Sequence, residues 1–477
     1  MNKTRLAALA TALMLAGCAN LNLFPAFERP ALEAPQAWPG LPAHAVAFDH
    51  AQWWTLYGDA TLNQLIEEAL AHNEDIAVAT ARIDEATAQL TLADVEREPT
   101  LTGTFTPSYT RSTQRGTNPL PPTFSAKSRD YAVRINATYE LDLWGKLRGA
   151  SAAARAELLA SEAARDTVRN TLTAQLAQGY FALLALDAQI ATTRRTQETR
   201  LASLKLQQLR MQGGVSSEFE VRQVEADLAA VQAQIPALER QRTQQQNALA
   251  VLLGRSPRDL VEGSIARGAP AALADPVVPA GLPSELLLRR PDLREAEQKL
   301  IAANANIGVA RAAYYPSITL TGFFGGESRS LADLFFGPAR IFRFAAELTQ
   351  PIFGAKRIGA SVDVAKAREE QALAQYRLAI ANAFRDVQDA LAAQQSAREV
   401  LAAERAHVEA LQKALVLAKL RYDNGISSQL EVLDAERNLL QAELNLTAAE
   451  QAQRAAIADL FKAMGGGWNK EAKTAPG

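Results

Sequence analysis

"YAVRINATYELDLWGKLRGA", residues Tyr131 to Ala150, changes character halfway along. Up to Leu143 the side chains alternate by twos. Tyr131, Val133, Ile135, Ala137, Tyr139, Leu141 and Leu143 share one face, and Arg134, Asn136, Thr138, Glu140 and Asp142 share the other. That period is the mark of a strand with one apolar and one polar side. Beyond Gly145 no proline appears until Pro236, and the composition turns to Ala, Leu, Glu, Gln and Arg. As a helix, Gly145–Gln212 would reach about 100 Å. Apolar residues recur along it at threes and fours (Leu158, Leu172, Leu176, Tyr180, Leu183, Leu184), so its stripe must be seamed against neighbours as in a coiled coil. The fold has to explain a half-apolar strand joined to a helix of that length.

The chain contains itself twice. "GGVSSEFEVRQVEADL" (Gly213–Leu228) matches "NGISSQLEVLDAERNL" (Asn424–Leu439) about 210 residues later. "PTLTG" at Pro99 matches "PSITLTG" at Pro316, and "DLWGKLRGA" at Asp142 is echoed by "PIFGAKRIGA" at Pro351. Each half reads as helix, strands, a very long helix, a Gly-Ser turn and a returning helix, a duplication with a period too long for a solenoid unit. The remaining strands alternate as cleanly as the first. Leu101, Phe105 and Tyr109 lie opposite Thr100, Thr102, Thr104, Thr106 and Ser108. Ile318, Leu320 and Phe324 lie opposite Ser317, Thr319 and Thr321, and Phe344, Ala346 and Leu348 opposite Arg343 and Glu347. Pro236 is expected to kink or shift the returning helix it interrupts.

The bulk numbers narrow the class. Of 477 residues, 50 are Lys or Arg and 52 Asp or Glu, a net charge of −2 that gives no basic excess for nucleic acid. The single cysteine, Cys18, has no intrachain partner for a disulfide. No stretch of about 18 uncharged apolar residues exists, so no transmembrane helix is expected. At the start, Lys3 and Arg5 precede an apolar run from Leu6 to Ala16, closed by "LAGC" at Cys18: an export signal. That ending resembles a bacterial lipobox, which implies cleavage before Cys18, acylation there and, with Ala19 rather than Asp following, delivery to the outer membrane.

A sheet apolar on one side and polar on the other suits a soluble sandwich or a membrane barrel. The sandwich needs a second sheet, and the barrel at least about eight strands, because an open edge in lipid leaves backbone groups unsatisfied. Four strands satisfy neither within one chain. Three copies would give twelve, and would gather the long helices into a tube continuing the bore.

Several stretches together, spread over Trp53 to Met464, resemble the outer-membrane factor, or TolC-like, efflux lipoproteins of Gram-negative bacteria, in the branch typified by OprM, CusC and NodT. They are "WWTLYGDATLNQLIEEAL" (Trp53–Leu70), "YELDLWGKLR" (Tyr139–Arg148), "LRRPDLREAEQKLIAANANIGVARAAYYPSITLTGFFG" (Leu288–Gly325) and "YDNGISSQLEVLDAERNLLQAE" (Tyr422–Glu443). The resemblance implies a mixed α and transmembrane-β fold: a homotrimer with a 12-stranded β-barrel, four strands per chain, continuous with a long α-helical barrel. It also implies an exit duct that docks on a periplasmic adaptor and an inner-membrane RND-type pump, and passes drugs or other small toxic compounds outward. On this plan 1–17 is the signal peptide, 18–60 a lipidated N-terminal segment, 61–98 a first-repeat helix and 99–144 the first barrel hairpin. Residues 145–256 form the long helix, tip turn and return helix, 257–285 an equatorial linker, 286–315 the second-repeat helix and 316–353 the second hairpin. The repeat closes with 354–464, and 465–477 is the tail.

Both Gly-Ser turns have a local logic. Gly213/Gly214 and Gly425 suit the left-handed position that ends a helix. Ser217 with Glu220, and Ser428 with Glu431, each spell the S-x-x-E capping box that starts the next. Each turn is therefore a sharp helical hairpin, and the two, Gly213, Gly214, Val215, Ser216, Ser217 and Asn424, Gly425, Ile426, Ser427, Ser428, are the expected adaptor-docking tip. Capping by itself accounts for Glu220 and Glu431. Asp434, three residues beyond Glu431 on the same helix face, has no such role. By resemblance, Glu431 and Asp434 match acidic residues that ring the periplasmic entrance, and Glu220 and Tyr422 match positions that tie neighbouring hairpins shut. Ser427 falls where some relatives carry a link-forming arginine, so that link is not expected. A threefold ring of carboxylates favours cations.

The four histidines, His44, His50, His72 and His407, are scattered, with no HExxH or CxxC spacing for a metal. No G-x-S-x-G, GxxxxGK[ST] or GxGxxG is present either, so neither an enzyme nor a cofactor beyond the lipid on Cys18 is expected. Past the signal only Met211 and Met464 remain, so a methionine-lined copper path is not expected, while metal export through an unselective bore stays open. Two alternatives remain: a periplasmic adaptor, whose helical hairpin would occur once, and a structural coiled-coil lipoprotein, which leaves the alternating strands unexplained.

Overall fold

The computed structural model describes residues 23–30, 35 and 52–466, with gaps inside 114–124 and 269–288. The signal peptide, Cys18, most of 18–60 and the tail from 467 lie outside the described residues. The chain divides into two compact units. One holds the described parts of Met1–Ala31 with Arg82–Ser161 and Ala296–Tyr376, the other those of Leu32–Ala81 with Glu162–Glu295 and Arg377–Gly477.

The first unit carries the sheet. Strands β1 (Thr100–Arg111), β2 (Lys127–Leu141), β3 (Ser317–Ser328) and β4 (Arg340–Thr349) pair antiparallel in chain order, which leaves β1 and β4 as edges. The register brings the alternations together. Phe105 faces Val133, Ile135 faces Phe324, and Phe324 faces Phe342, so one side of the sheet is apolar from edge to edge. Among the described residues nothing covers that side: Ile135, Phe324 and Phe342 are all exposed, and Phe344 is 82% exposed. The opposite side is mostly threonines and charges, with Phe323 and Ile341 among them. Arg134 pairs with Glu327 at 2.7 Å and lies over the Phe323 ring, and Asn136 Nδ2 donates to Thr104 Oγ1 at 3.2 Å. Among the described residues no helix is long and apolar enough to cross a membrane.

The strand-to-helix joint comes two residues earlier than the alternation suggests. Strand β2 ends at Leu141, so Leu143 is not part of it. Asp142 is the reason: its carboxylate accepts from the backbone N–H of Leu147 at 3.2 Å and Arg148 at 2.9 Å, capping the helix to come. Gly145, at φ +76°, completes the corner.

Eight helices are described: α1 (Ala60–His72), α2 (Glu74–Val95), α3 (Lys146–Gln212), α4 (Glu218–Leu252), α5 (Pro257–Glu262), α6 (Pro291–Ala312), α7 (Ala355–Asp423) and α8 (Gln429–Ala463). The duplication is visible in their lengths: α3 and α7 have 67 and 69 residues, and α4 and α8 have 35 each. Residues 61–98 are not one helix, as the pattern suggests, but two. Asn73 divides them, its Oδ1 accepting from Asp75 N at 2.9 Å while its Nδ2 donates to the Leu252 carbonyl. Helix α4 continues through Pro236 without interruption.

The core of the second unit gathers the "WWTLY" turn against the helices. Trp53 is fully buried and stacks on Phe461 at 4.9 Å, and Tyr57, Leu62, Ile66, Leu176, Phe181 and Ile457 close around them. Asp59 caps α1 and also accepts from the Tyr180 hydroxyl at 2.6 Å. Burial, then that hydrogen bond, push the Tyr180 phenol above its ordinary range. Arg290, of the "LRRPDL" stretch, donates to the Ala463 carbonyl at 2.9 Å and pairs with Asp292 and Asp386, a structural clamp on the end of α8.

Candidate functional site: the helical tips

Two helical hairpins, α3–α4 and α7–α8, end in the Gly-Ser turns. Both long helices close alike. Val215 N donates to the Arg210 carbonyl and Gly214 N to that of Met211. In the second repeat Ile426 N donates to Arg421 and Gly425 N to Tyr422. This paired closure needs a left-handed residue, and Gly214 and Gly425, both at φ +71°, supply it. Gly213 does not have a positive φ. At the tips themselves Val215, Phe219 and Ile426 stand exposed.

The two starts differ. At Ser217 the capping box is complete: Ser217 N donates to Glu220 Oε2 at 2.9 Å and Glu220 N to Ser217 Oγ at 3.3 Å. Ser216 Oγ adds a third bond at 2.7 Å, and these donors hold the Glu220 carboxyl below its ordinary value, the Ser216 hydroxyl first. At Ser428 the expected box is absent, for its side chain makes no capping bond. Glu431 instead faces Arg421 on the incoming helix at 3.6 Å, and that cation competes for the carboxylate. Ser427, beside it, keeps a buried hydroxyl without a partner among the described residues.

Tyr422 joins the two hairpins of one chain. Its hydroxyl accepts from Gln207 Nε2 at 2.8 Å and Arg210 Nη1 at 2.7 Å, the Arg210 guanidinium lies over its ring, and Gln207 also donates to Gln429 at 3.0 Å. Glu220 is elsewhere, spent on its own cap.

Asp434 is exposed and paired with Arg437 at 3.0 Å. Arg437 in turn holds Asp227 of α4 at 2.5 Å. Behind them lies a network that sequence reasoning missed. Arg200 of α3, only 1% exposed, meets Glu436 of α8 at 2.7 Å and Asp227 at 3.5 Å, and Lys419 of α7 reaches Glu436 at 2.9 Å. Three cations and three carboxylates, from all four helices, therefore compensate one another. Nothing in the sequence marks it, because most neighbours of Arg200 along its helix face, Thr193, Thr196, Gln197, Ser203 and Gln207, are polar as on any solvated face. Among the described residues no group of His, Cys, Asp and Glu is arranged to hold a metal ion.

With this geometry, comparison with known proteins becomes specific. A family model described as "Outer membrane efflux protein" matches residues 65–255 and 282–466, one stretch in each repeat. The chain is 34% identical over 474 residues to the cation efflux system protein CusC of Escherichia coli (strain CFT073), covering 98% of this chain and 100% of that one. It is 35% identical over 490 residues to the toluene efflux pump outer membrane protein TtgC of Pseudomonas putida, covering 99% and 97%. Among solved structures, the Campylobacter jejuni CmeC outer membrane channel superposes with a TM-score of 0.88 at 25% identity, over 94% of this chain and 96% of that one. The open state of the Neisseria gonorrhoeae MtrE outer membrane channel does so at 0.81 and 33%, over 93% and 98%. The chain belongs to the outer membrane efflux protein family and has the TolC-like fold of its channels.

Proposed function

We propose that this protein is the exit duct of a tripartite efflux system, built as a homotrimer whose three four-stranded sheets close one twelve-stranded barrel. The observation that carries this is the sheet itself: among the described residues, four strands in order with two free edges and one continuous apolar face left uncovered. Backbone groups at an edge cannot stay unpaired in lipid, so β1 of one copy must meet β4 of the next. The apolar face then turns to lipid and the Thr-rich face to the water path. Cys18 carries the acyl anchor, and the glycine-serine tips meet a periplasmic adaptor, through which an inner-membrane pump of RND type supplies the energy. Glu431 and Asp434 line the entrance, with Tyr422 tying it shut and Glu220 holding the fold of the tip. Relatives named for cation, toluene and antibiotic efflux support a cargo of small toxic compounds. Outer-membrane extracts run on gels without heating are expected to show a slow band that collapses to the monomer on boiling. A monomer band alone in both lanes overturns the trimeric duct.

A further inference from the structure

In the sheet-bearing unit, residues Leu23–Arg29 run antiparallel along α6. The Leu23 carbonyl accepts from Arg311 Nη1 at 3.3 Å, the Pro25 carbonyl from Asn304 Nδ2 at 2.9 Å, and Arg29 pairs with Glu297 at 2.6 Å. From Arg311 back to Glu297 the helix advances about 21 Å at 1.5 Å per residue. From Leu23 to Arg29 an extended chain advances about 20 Å. The two lengths agree, so the segment lies on the helix without slack.

Phe24 occupies a socket made of glycines. A Cβ at Gly149 or Gly308 would overlap its ring, and one at Gly145 would lie 2.9 Å from it. Gly145 needs its positive φ, but Gly149 and Gly308 sit inside helices at ordinary angles, where glycine costs about 1 kcal/mol relative to alanine. The Phe24 ring is what those two glycines accommodate. The second repeat has a comparable pair, five residues apart rather than four, in Gly354 and Gly359, yet among the described residues a Cβ there would meet nothing within 4 Å at Gly354 and only the Tyr314 hydroxyl, at 3.1 Å, at Gly359. One socket of the duplicated pair is filled, by a segment that touches α3 from the first repeat and α6 from the second.

We propose that Leu23–Arg29 is a docked strap, locked by Phe24 in the Gly145–Gly149–Gly308 socket, which fixes where the N-terminal anchor enters the membrane. Arg311, which holds Leu23, lies six residues before β3, and five residues of chain let Cys18 reach no more than about 18 Å from Leu23. At that end of the sheet Trp144 and Tyr315 pack at 4.9 Å, and Trp144 Nε1 donates to the Pro316 carbonyl at 2.7 Å. Such amphipathic rings mark a membrane–water boundary. The strap thus confines an acyl chain to the leaflet at the base of the sheet. Its anchoring half rests on the acylation of Cys18 proposed above; its docking half does not.

The test uses full-length chain from cells fed labelled palmitate, solubilised as trimers and exposed to a Glu-specific endoprotease. Cleavage after Glu28 is read from the large fragment that begins at Arg29. The wild type is expected to resist. Phe24→Ala and Gly308→Val are expected to be cut at least tenfold faster, and Gly359→Ala, at the matching glycine of the other repeat, at the wild-type rate. If Gly308→Val does not assemble, Phe24→Ala decides alone. A Phe24→Ala trimer cut no faster than wild type overturns the strap. A released fragment without label overturns the acyl anchor and leaves the strap standing.

Discussion

Asp434, proposed above to line the entrance, does not stand bare: Arg437 pairs with it and is itself held by Asp227. Removing the Asp434 carboxylate deletes one charge per copy from the path while Arg437 stays pinned. Asp434→Ala, alone or with Glu431→Ala, is therefore expected to raise conductance in planar bilayers and to weaken block by multivalent cations several-fold. Unchanged currents and block would remove Asp434 from the gate. Arg200 is a different matter, since it is buried against two carboxylates. Arg200→Met leaves Asp227 and Glu436 short of a cation, a type of change that costs about 3 kcal/mol or more. Amide hydrogen exchange should show lost protection around 200 in α3 and 227 in α4. Intact protection would mean that Lys419 and Arg437 suffice. The acidic residues at 431 and 434 were legible in the sequence because they sit near a turn signal. The Arg200 network was not, because the pairs Arg200–Glu436 and Arg437–Asp227 depend on helix register across more than 200 residues of chain.

Among the elements, the hairpins show how far a motif reaches. Both carry S-x-x-E after a left-handed glycine, yet only Ser217 and Glu220 form the reciprocal box. Ser217→Ala is expected to cost the first hairpin about 1 kcal/mol, the usual worth of a cap, and Ser428→Ala close to nothing. Thermal unfolding of the two variants under one condition gives the comparison, and equal losses would mean that the boxes are equivalent. The pH dependence follows from the same carboxylate. Glu220 has its folded pKa depressed, so its contribution is present above the unfolded carboxyl value and is lost as pH falls through the folded one. The first hairpin should loosen in acid by this route, and the variant Ser217→Ala should show less of that dependence. Helix starts, stops and long proline-free runs were legible because they are local. The break at Asn73 was not, since its amide also serves the Leu252 carbonyl, which it meets only in the folded chain. Nor was the early end of β2, because Asp142 fits the strand alternation while its carboxylate caps the helix five and six residues on.

For the whole molecule the deciding feature is the unfinished sheet. Along β2 the apolar face runs from Tyr131 to Leu141, about 33 Å of strand, and a tilt of 35–45° reduces that to about 25 Å, the height of a lipid-facing band. Nothing in the described chain covers this face, and Phe344 at 82% exposed would be costly in water. The heat-sensitive band expected on gels belongs to this scale, because it reports closure of edges that no single copy can close. The core around Trp53 and Phe461 belongs to it too, since residues from both ends of the chain must meet to form it.

By itself the sequence determined the duplication, the four alternating strands, the paired long helices, the glycine turns and the family likeness. All of these are written in local period, spacing or turn chemistry. Tertiary structure alone decided which strand neighbours which, which capping box closes, which arginine neutralises which carboxylate and where Phe24 finds its glycines. Those outcomes depend on register between elements far apart in the chain, and register is set by packing that no local pattern encodes.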